Sequence, residues 1–100
     1  VFEPFSSLPA ITADLTFLQP RDLPWVKVEE CVRGLGLADL ESLRCVDRYE
    51  GEKVPSGFVK TTIRLTFRSA ERTLSQDEVN REMHRLADEL GRRLDVRFDG

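Results

Sequence analysis

Polar and apolar residues alternate strictly from Phe58 to Arg68. Val59, Thr61, Ile63, Leu65 and Phe67 share one parity, and Lys60, Thr62, Arg64, Thr66 and Arg68 the other. Successive strand side chains point to opposite faces, so this stretch predicts a strand with one dry face and one wet, cationic face. After a connector, Ser69–Leu74, comes Ser75-Gln-Asp-Glu78. Those four residues form a capping-box signature. The Ser75 hydroxyl accepts from the Glu78 backbone N–H, and the Glu78 carboxylate accepts from that of Ser75. Val79, Met83, Leu86 and Leu90 then recur at helical spacing, and Gly91 stands where a left-handed C-cap belongs.

The same reading extends to the rest of the chain. Residues 1–7 read as a tail or linker, ahead of a domain covering residues 8–100. A strand is expected over Ala10–Leu18, with Ile11, Ala13, Leu15 and Phe17 inward and Thr12, Asp14 and Thr16 outward; Gln19-Pro-Arg-Asp22 breaks it. A helix follows, with Pro24 in its first turn, Asp22 as a cap and Trp25, Val28, Val32 and Leu35 as its apolar stripe; Gly34 and Gly36 end it. A second strand spans Leu40–Tyr49. Leu43, Cys45 and Tyr49 share one parity but Asp47 interrupts it, which implies a bulge or an edge position. Glu50–Gly57 is a hairpin connection, and Arg93–Phe98 a last strand with Leu94, Val96 and Phe98 inward.

The order β-α-β-β-α-β predicts a ferredoxin-like α+β fold. Right-handed crossovers give a four-stranded antiparallel sheet, order 4-1-3-2, with both helices on one face. The other face is expected to be bare. Thr12, Asp14 and Thr16 stand there beside Lys60, Thr62, Arg64 and Thr66, with Arg44, Arg48 and Arg68 extending the patch.

Composition narrows the setting. The chain of 100 residues, 40% hydrophobic and 33% charged, is one ordinary globular domain, with no apolar run long enough to span a membrane and no signal peptide. Cys31 and Cys45 lack paired spacing and are expected as reduced packing residues in a cytoplasmic protein. The chain begins at Val1 without an initiator methionine, as a piece of a longer protein would. A net charge of −3 argues against coating nucleic acid by bulk charge, but leaves room for a local basic stripe.

Catalysis finds little support. His84 sits in the second helix among arginines as a surface or half-buried residue, and no nucleophile is placed beside a base. Two cysteines and one histidine do not make a zinc or iron–sulfur site. Small acylphosphatases share this topology, but they need a glycine-bearing phosphate loop, and Gln19-Pro-Arg-Asp-Leu23 has no glycine. Single-stranded RNA suits the open face better. Lys60 and Arg64 stand roughly 13 Å apart along one strand for phosphates, with threonine hydroxyls between, and the Asp14 carboxylate can accept from base N–H groups. Exposed aromatics for stacking are missing from this reading. The alternative stays open that these charges only keep the face soluble.

One stretch carries a resemblance. Glu71-Arg-Thr-Leu74, followed at once by the capped helix and Glu78-Val-Asn80, resembles the ferredoxin-fold anticodon-binding domain that closes the β subunit of bacterial phenylalanine–tRNA ligase. Asp47-Arg-Tyr-Glu-Gly51 with Pro55 and Gly57, and Leu8-Pro-Ala-Ile-Thr-Ala-Asp-Leu15, resemble its second-strand and opening segments, so the likeness covers Leu8 to Phe98. It implies a parent class II synthetase that charges tRNA with phenylalanine using ATP and magnesium. The active site would lie in a separate α subunit of a heterotetramer. This domain would contact the anticodon stem-loop, with no cofactor and no catalytic residue of its own. Asp14 matches the family's acidic position, and Arg72 and Thr73 its connector motif; Arg72 is also placed to pair with Glu71 or Asp77. Three positions depart from the pattern: Ala13 for an arginine, Leu8 for an aromatic and Ala70 for a proline. The loss of arginine at Ala13 bears on how Asp14 is positioned, and Lys60 would restore positive charge nearby. The competing reading is a ferredoxin-like domain that docks on protein through the same sheet.

Overall fold

The alternating stretch forms the central strand. The computed structural model describes residues 9–69 and 71–98, so the expected tail, Leu8 and Ala70 lie outside what is described. Five elements follow in order: β1 (Ile11–Pro20), α1 (Trp25–Gly34), β2 (Leu40–Tyr49), β3 (Phe58–Phe67) and α2 (Gln76–Arg93). The sheet has the order β1-β3-β2, antiparallel throughout. Its β3 burial alternates as the sequence predicts: Val59, Thr61, Ile63, Leu65 and Phe67 are buried, while Lys60 and Arg64 are exposed. Both helices cover that dry face. Val28, Cys31 and Val32 of α1 and Val79, Leu86 and Leu90 of α2 join Phe17, Leu43, Ile63, Leu65 and Phe67 in one core. Of the three buried polar residues among those described, Gln19, Thr61 and Ser69, two bond to each other: Thr61 donates to Gln19 Oε1 at 2.8 Å, and Gln19 Nε2 donates to the Leu23 carbonyl at 2.8 Å. Satisfied in this way, Gln19 does not break β1, which runs on to Pro20 rather than stopping at Leu18.

The expected four-stranded sheet has three strands among the described residues. In place of a last strand over Arg93–Phe98 there is one bridge between Leu18 and Arg97, whose two backbone hydrogen bonds are each 2.8 Å. The cause is helical. Gly91 does not cap α2 but lies within it, and the helix continues to Arg93. Arg92 and Arg93 both pair with Glu89, at 3.3 and 2.9 Å, and hold that last turn. Leu94 caps the helix and Asp95 takes the left-handed conformation, φ 55°, which leaves Val96–Phe98, among the described residues, to meet β1. Val96 is buried as expected, whereas Phe98 packs edge-on against Phe17 yet stays 40% exposed.

The capping box forms in full: the Glu78 N–H donates to Ser75 Oγ at 3.2 Å, and the Ser75 N–H donates to Glu78 Oε1 at 2.8 Å. The Asp22 cap does not form. Helix α1 starts at Trp25, so the cap position falls on Pro24, which has no side-chain acceptor. At its other end, Gly36 with φ 63° turns the chain toward β2, and Arg85 of α2 donates to the Leu35 carbonyl at 2.7 Å.

Candidate nucleic-acid interface

No helix covers the second face of the sheet among the described residues, and the register builds it row by row. Reading β1, β3, β2, the rows are Thr12–Thr66–Ser42, Asp14–Arg64–Arg44, Thr16–Thr62–Asp47 and Leu18–Lys60–Tyr49. Cross-strand partners share a face, so these side chains lie together. Pro20 and Phe58 close that end, and the bridge sets Arg97 beside Leu18.

Of the predicted residues, Thr12, Asp14, Thr16, Lys60, Thr62, Arg64, Thr66 and Arg44 are gathered on this face. The centre is an ion pair. Arg64 Nε donates to Asp14 Oδ1 at 2.8 Å and Arg64 Nη2 to Oδ2 at 3.0 Å. This fork holds the Asp14 carboxyl below its ordinary pKa and raises that of Arg64. Both ends remain open to solvent, with side chains 42% and 44% exposed. Below it the Thr16 and Thr62 hydroxyls share a 2.8 Å hydrogen bond. Arg44 and Lys60 have no ion pair among the described residues.

Two predicted arginines, Arg48 and Arg72, stand elsewhere, and Arg68 lies just past the strand. The bulge between Cys45 and Asp47 reverses the parity of β2, so Arg48 pairs with buried Thr61 and leaves the open face. Arg68 lies beyond the end of β3, its Nε 3.6 Å from Glu41 Oε2 and its backbone N–H bonded to the Asp39 carbonyl. Arg72 sits on the helix side. It pairs with Glu78, Nη2 to Oε2 at 2.6 Å, rather than with Glu71 or Asp77, and so braces the capping box. With Arg72 and the Ser75 N–H both donating to it, the Glu78 carboxyl has its pKa lowered to about 2. Ala13 pairs with Leu65 on the dry face, Lys60 stands on the open face in the Leu18 row, and Asp14 takes its cationic partner from Arg64.

The same bulge supplies what the sequence reading lacked. Tyr49, which shares the parity of Leu43 and Cys45 in the sequence, pairs with Lys60 and is 47% exposed on the open face. With Thr16, Asp47, Lys60 and Thr62 it lines a depression of about 500 Å³. Asp47 moves to this face by the same shift. A second aromatic, Phe58, carries the Arg97 guanidinium 4.8 Å from its ring centroid. The face thus presents four cations, Arg44, Lys60, Arg64 and Arg97, against two carboxylates, Asp14 and Asp47, on a chain whose net charge is −3. A sign signal for Arg97 and Tyr49 existed only in their residue types; their placement depended on one inserted residue and one bridge.

Two helices on one side of an antiparallel sheet, and an open side carrying more cations than carboxylates on the other, define a ferredoxin-like α+β domain. The chain belongs to the ferredoxin-fold anticodon binding domain family, whose pattern its residues 6–98 match. It is similar to the phenylalanine–tRNA ligase beta subunit of Thermosynechococcus vestitus, 39% identical over 93 residues that cover 90% of this chain and 11% of that protein. The corresponding proteins of Geobacter metallireducens and Thermotoga maritima are 34% and 31% identical, over 94% and 96% of this chain and 12% of each relative. The chain therefore spans about one ninth of the length of these relatives. No described helix is long and apolar enough to cross a membrane.

Proposed function

We propose that this chain binds the anticodon stem-loop of a tRNA on the open face of its sheet, as the anticodon-binding part of a phenylalanine–tRNA ligase beta subunit. The observation that carries this reading is the gathering, with Tyr49, of Arg44 and Lys60, which have no ion pair among the described residues, on a face that no described helix covers, in an otherwise acidic chain. Lysine and arginine meet phosphates, and an exposed ring takes the face of an unpaired base. The Tyr49 depression has room for one base. Asp47 at its wall accepts hydrogen bonds only, which favours a base edge with two adjacent N–H donors, as guanine has on its Watson–Crick side. Asp14, engaged by Arg64, sets the charge of the centre rather than reading a base.

The chain contributes binding, not chemistry. Charging of tRNA with phenylalanine would proceed in an α subunit of the parent heterotetramer, in the cytoplasm. ATP and magnesium would serve there.

Titrating the chain with a phenylalanine-tRNA anticodon stem-loop at two salt concentrations tests this. Neutralising about three phosphates predicts a log–log slope near −2 for a single-stranded loop. Binding without salt dependence would remove the phosphate contacts of Arg44 and Lys60 from the reading, and no binding at either concentration would leave the face as a protein-docking surface instead.

A further inference from the structure

The last described residues cross the edge of the binding face. Arg97 is anchored there by backbone: its N–H and carbonyl both bond Leu18, each at 2.8 Å, so its position does not depend on its own side chain. That bridge puts it in the row Leu18–Lys60–Tyr49, about 10 Å from Lys60 at two strand spacings. Its guanidinium lies over the Phe58 ring at 4.8 Å, and it has no acid partner among the described residues.

A guanidinium over a ring uses its π face there and keeps its in-plane N–H donors for another partner. Along this row Arg97 stands three strand spacings, about 14 Å, from Tyr49, so an anion it met would belong to a chain running across the face rather than to the base in the depression itself. The fork geometry of those donors suits phosphate oxygens. The two aromatics on the face therefore serve differently: Tyr49 offers its ring to a base, whereas Phe58 holds a cation in place.

We infer that Arg97, pre-oriented by Phe58, is a phosphate clamp for the nucleotide chain leaving the base held at Tyr49, and that the closing segment of the fold is thereby part of the RNA surface. This rests on the open face being the RNA surface, and it adds a contact that the strands alone do not supply. Arginine at this position is more than surface charge, because stacking removes rotamer freedom that a solvated side chain would lose on binding.

The test is a salt titration of the whole chain with the same stem-loop, comparing wild type, Arg97→Gln, Arg97→Lys and Phe58→Leu. For Arg97→Gln the log–log slope should become less negative by about 0.7, one phosphate's worth for a single strand. Its affinity should fall severalfold while the thermal midpoint holds. Arg97→Lys keeps the slope but binds more weakly than wild type, since a lysine is not held by the ring in the same way. Phe58→Leu matches Arg97→Lys. If wild type binds and Arg97→Gln has the same affinity and slope, the clamp is refuted while the open-face reading stands. If wild type does not bind, both fail together.

Discussion

Truncating Tyr49 separates the proposed base platform from the proposed phosphate contacts. The ring is 47% exposed and stands at the end of an edge strand, so Tyr49→Ala removes little from the core. Stacking of one base on one aromatic ring is worth about 1–3 kcal/mol, which corresponds to a loss of roughly 5- to 150-fold in affinity for the stem-loop. Tyr49→Phe keeps the π face and should stay close to wild type. The structure supplies an independent lever on the same ring. A Cβ added at Gly51 would meet the Tyr49 hydroxyl and stand 2.6 Å from Cζ, so Gly51→Ala must move the ring without changing its chemistry. Its affinity should fall between those of wild type and Tyr49→Ala. Fluorescence anisotropy with a labelled stem-loop measures all three, and thermal unfolding checks that each is folded. Tyr49→Ala binding with unchanged affinity would refute the reasoning, because the depression would then hold no base.

Other substitutions probe the centre of the face and the start of α2. Asp14→Ala removes a carboxylate from the proposed RNA face and frees Arg64, so stem-loop binding should tighten severalfold and its salt slope steepen by about 0.7; weaker binding would mean that Asp14 touches RNA itself. Ser75→Ala loses the acceptor that meets the Glu78 N–H and should cost about 1 kcal/mol by chemical denaturation, with RNA affinity unaltered. Glu78 has a folded pKa of about 2, below its ordinary 4.5. Its contribution to stability is therefore full above about pH 4.5 and fades as pH falls toward 2. Glu78→Gln should flatten the unfolding midpoint across that window; an unchanged pH profile would remove the Arg72–Glu78 brace from the account.

What could be read from the residues depended on whether a pattern was local. The β3 alternation and the Ser75–Glu78 box are set within a few residues, and both stand in the structure as the sequence implies. Parity misled on Arg48 and did not place Tyr49, because strand parity holds only until an extra residue intervenes. A broken pattern at Asp47 announces a bulge, but where the insertion falls is decided by pairing with β3. Gly91 failed as a stop for a related reason. Glycine permits a left-handed end without requiring one, and the Glu89 pairs with Arg92 and Arg93 carry the helix past it. The Asp14–Arg64 fork spans 50 positions in sequence, so it emerged only once the register of β1 on β3 was known.

The most direct measurement is a map of backbone amide shifts on adding the anticodon stem-loop to the isotope-labelled chain. The account predicts perturbations running across the row Leu18–Lys60–Tyr49 and into Thr16, Thr62 and Arg97, with α1 and α2 silent. Perturbations gathered instead on the outer surfaces of α1 and α2, with that row unmoved, would contradict it.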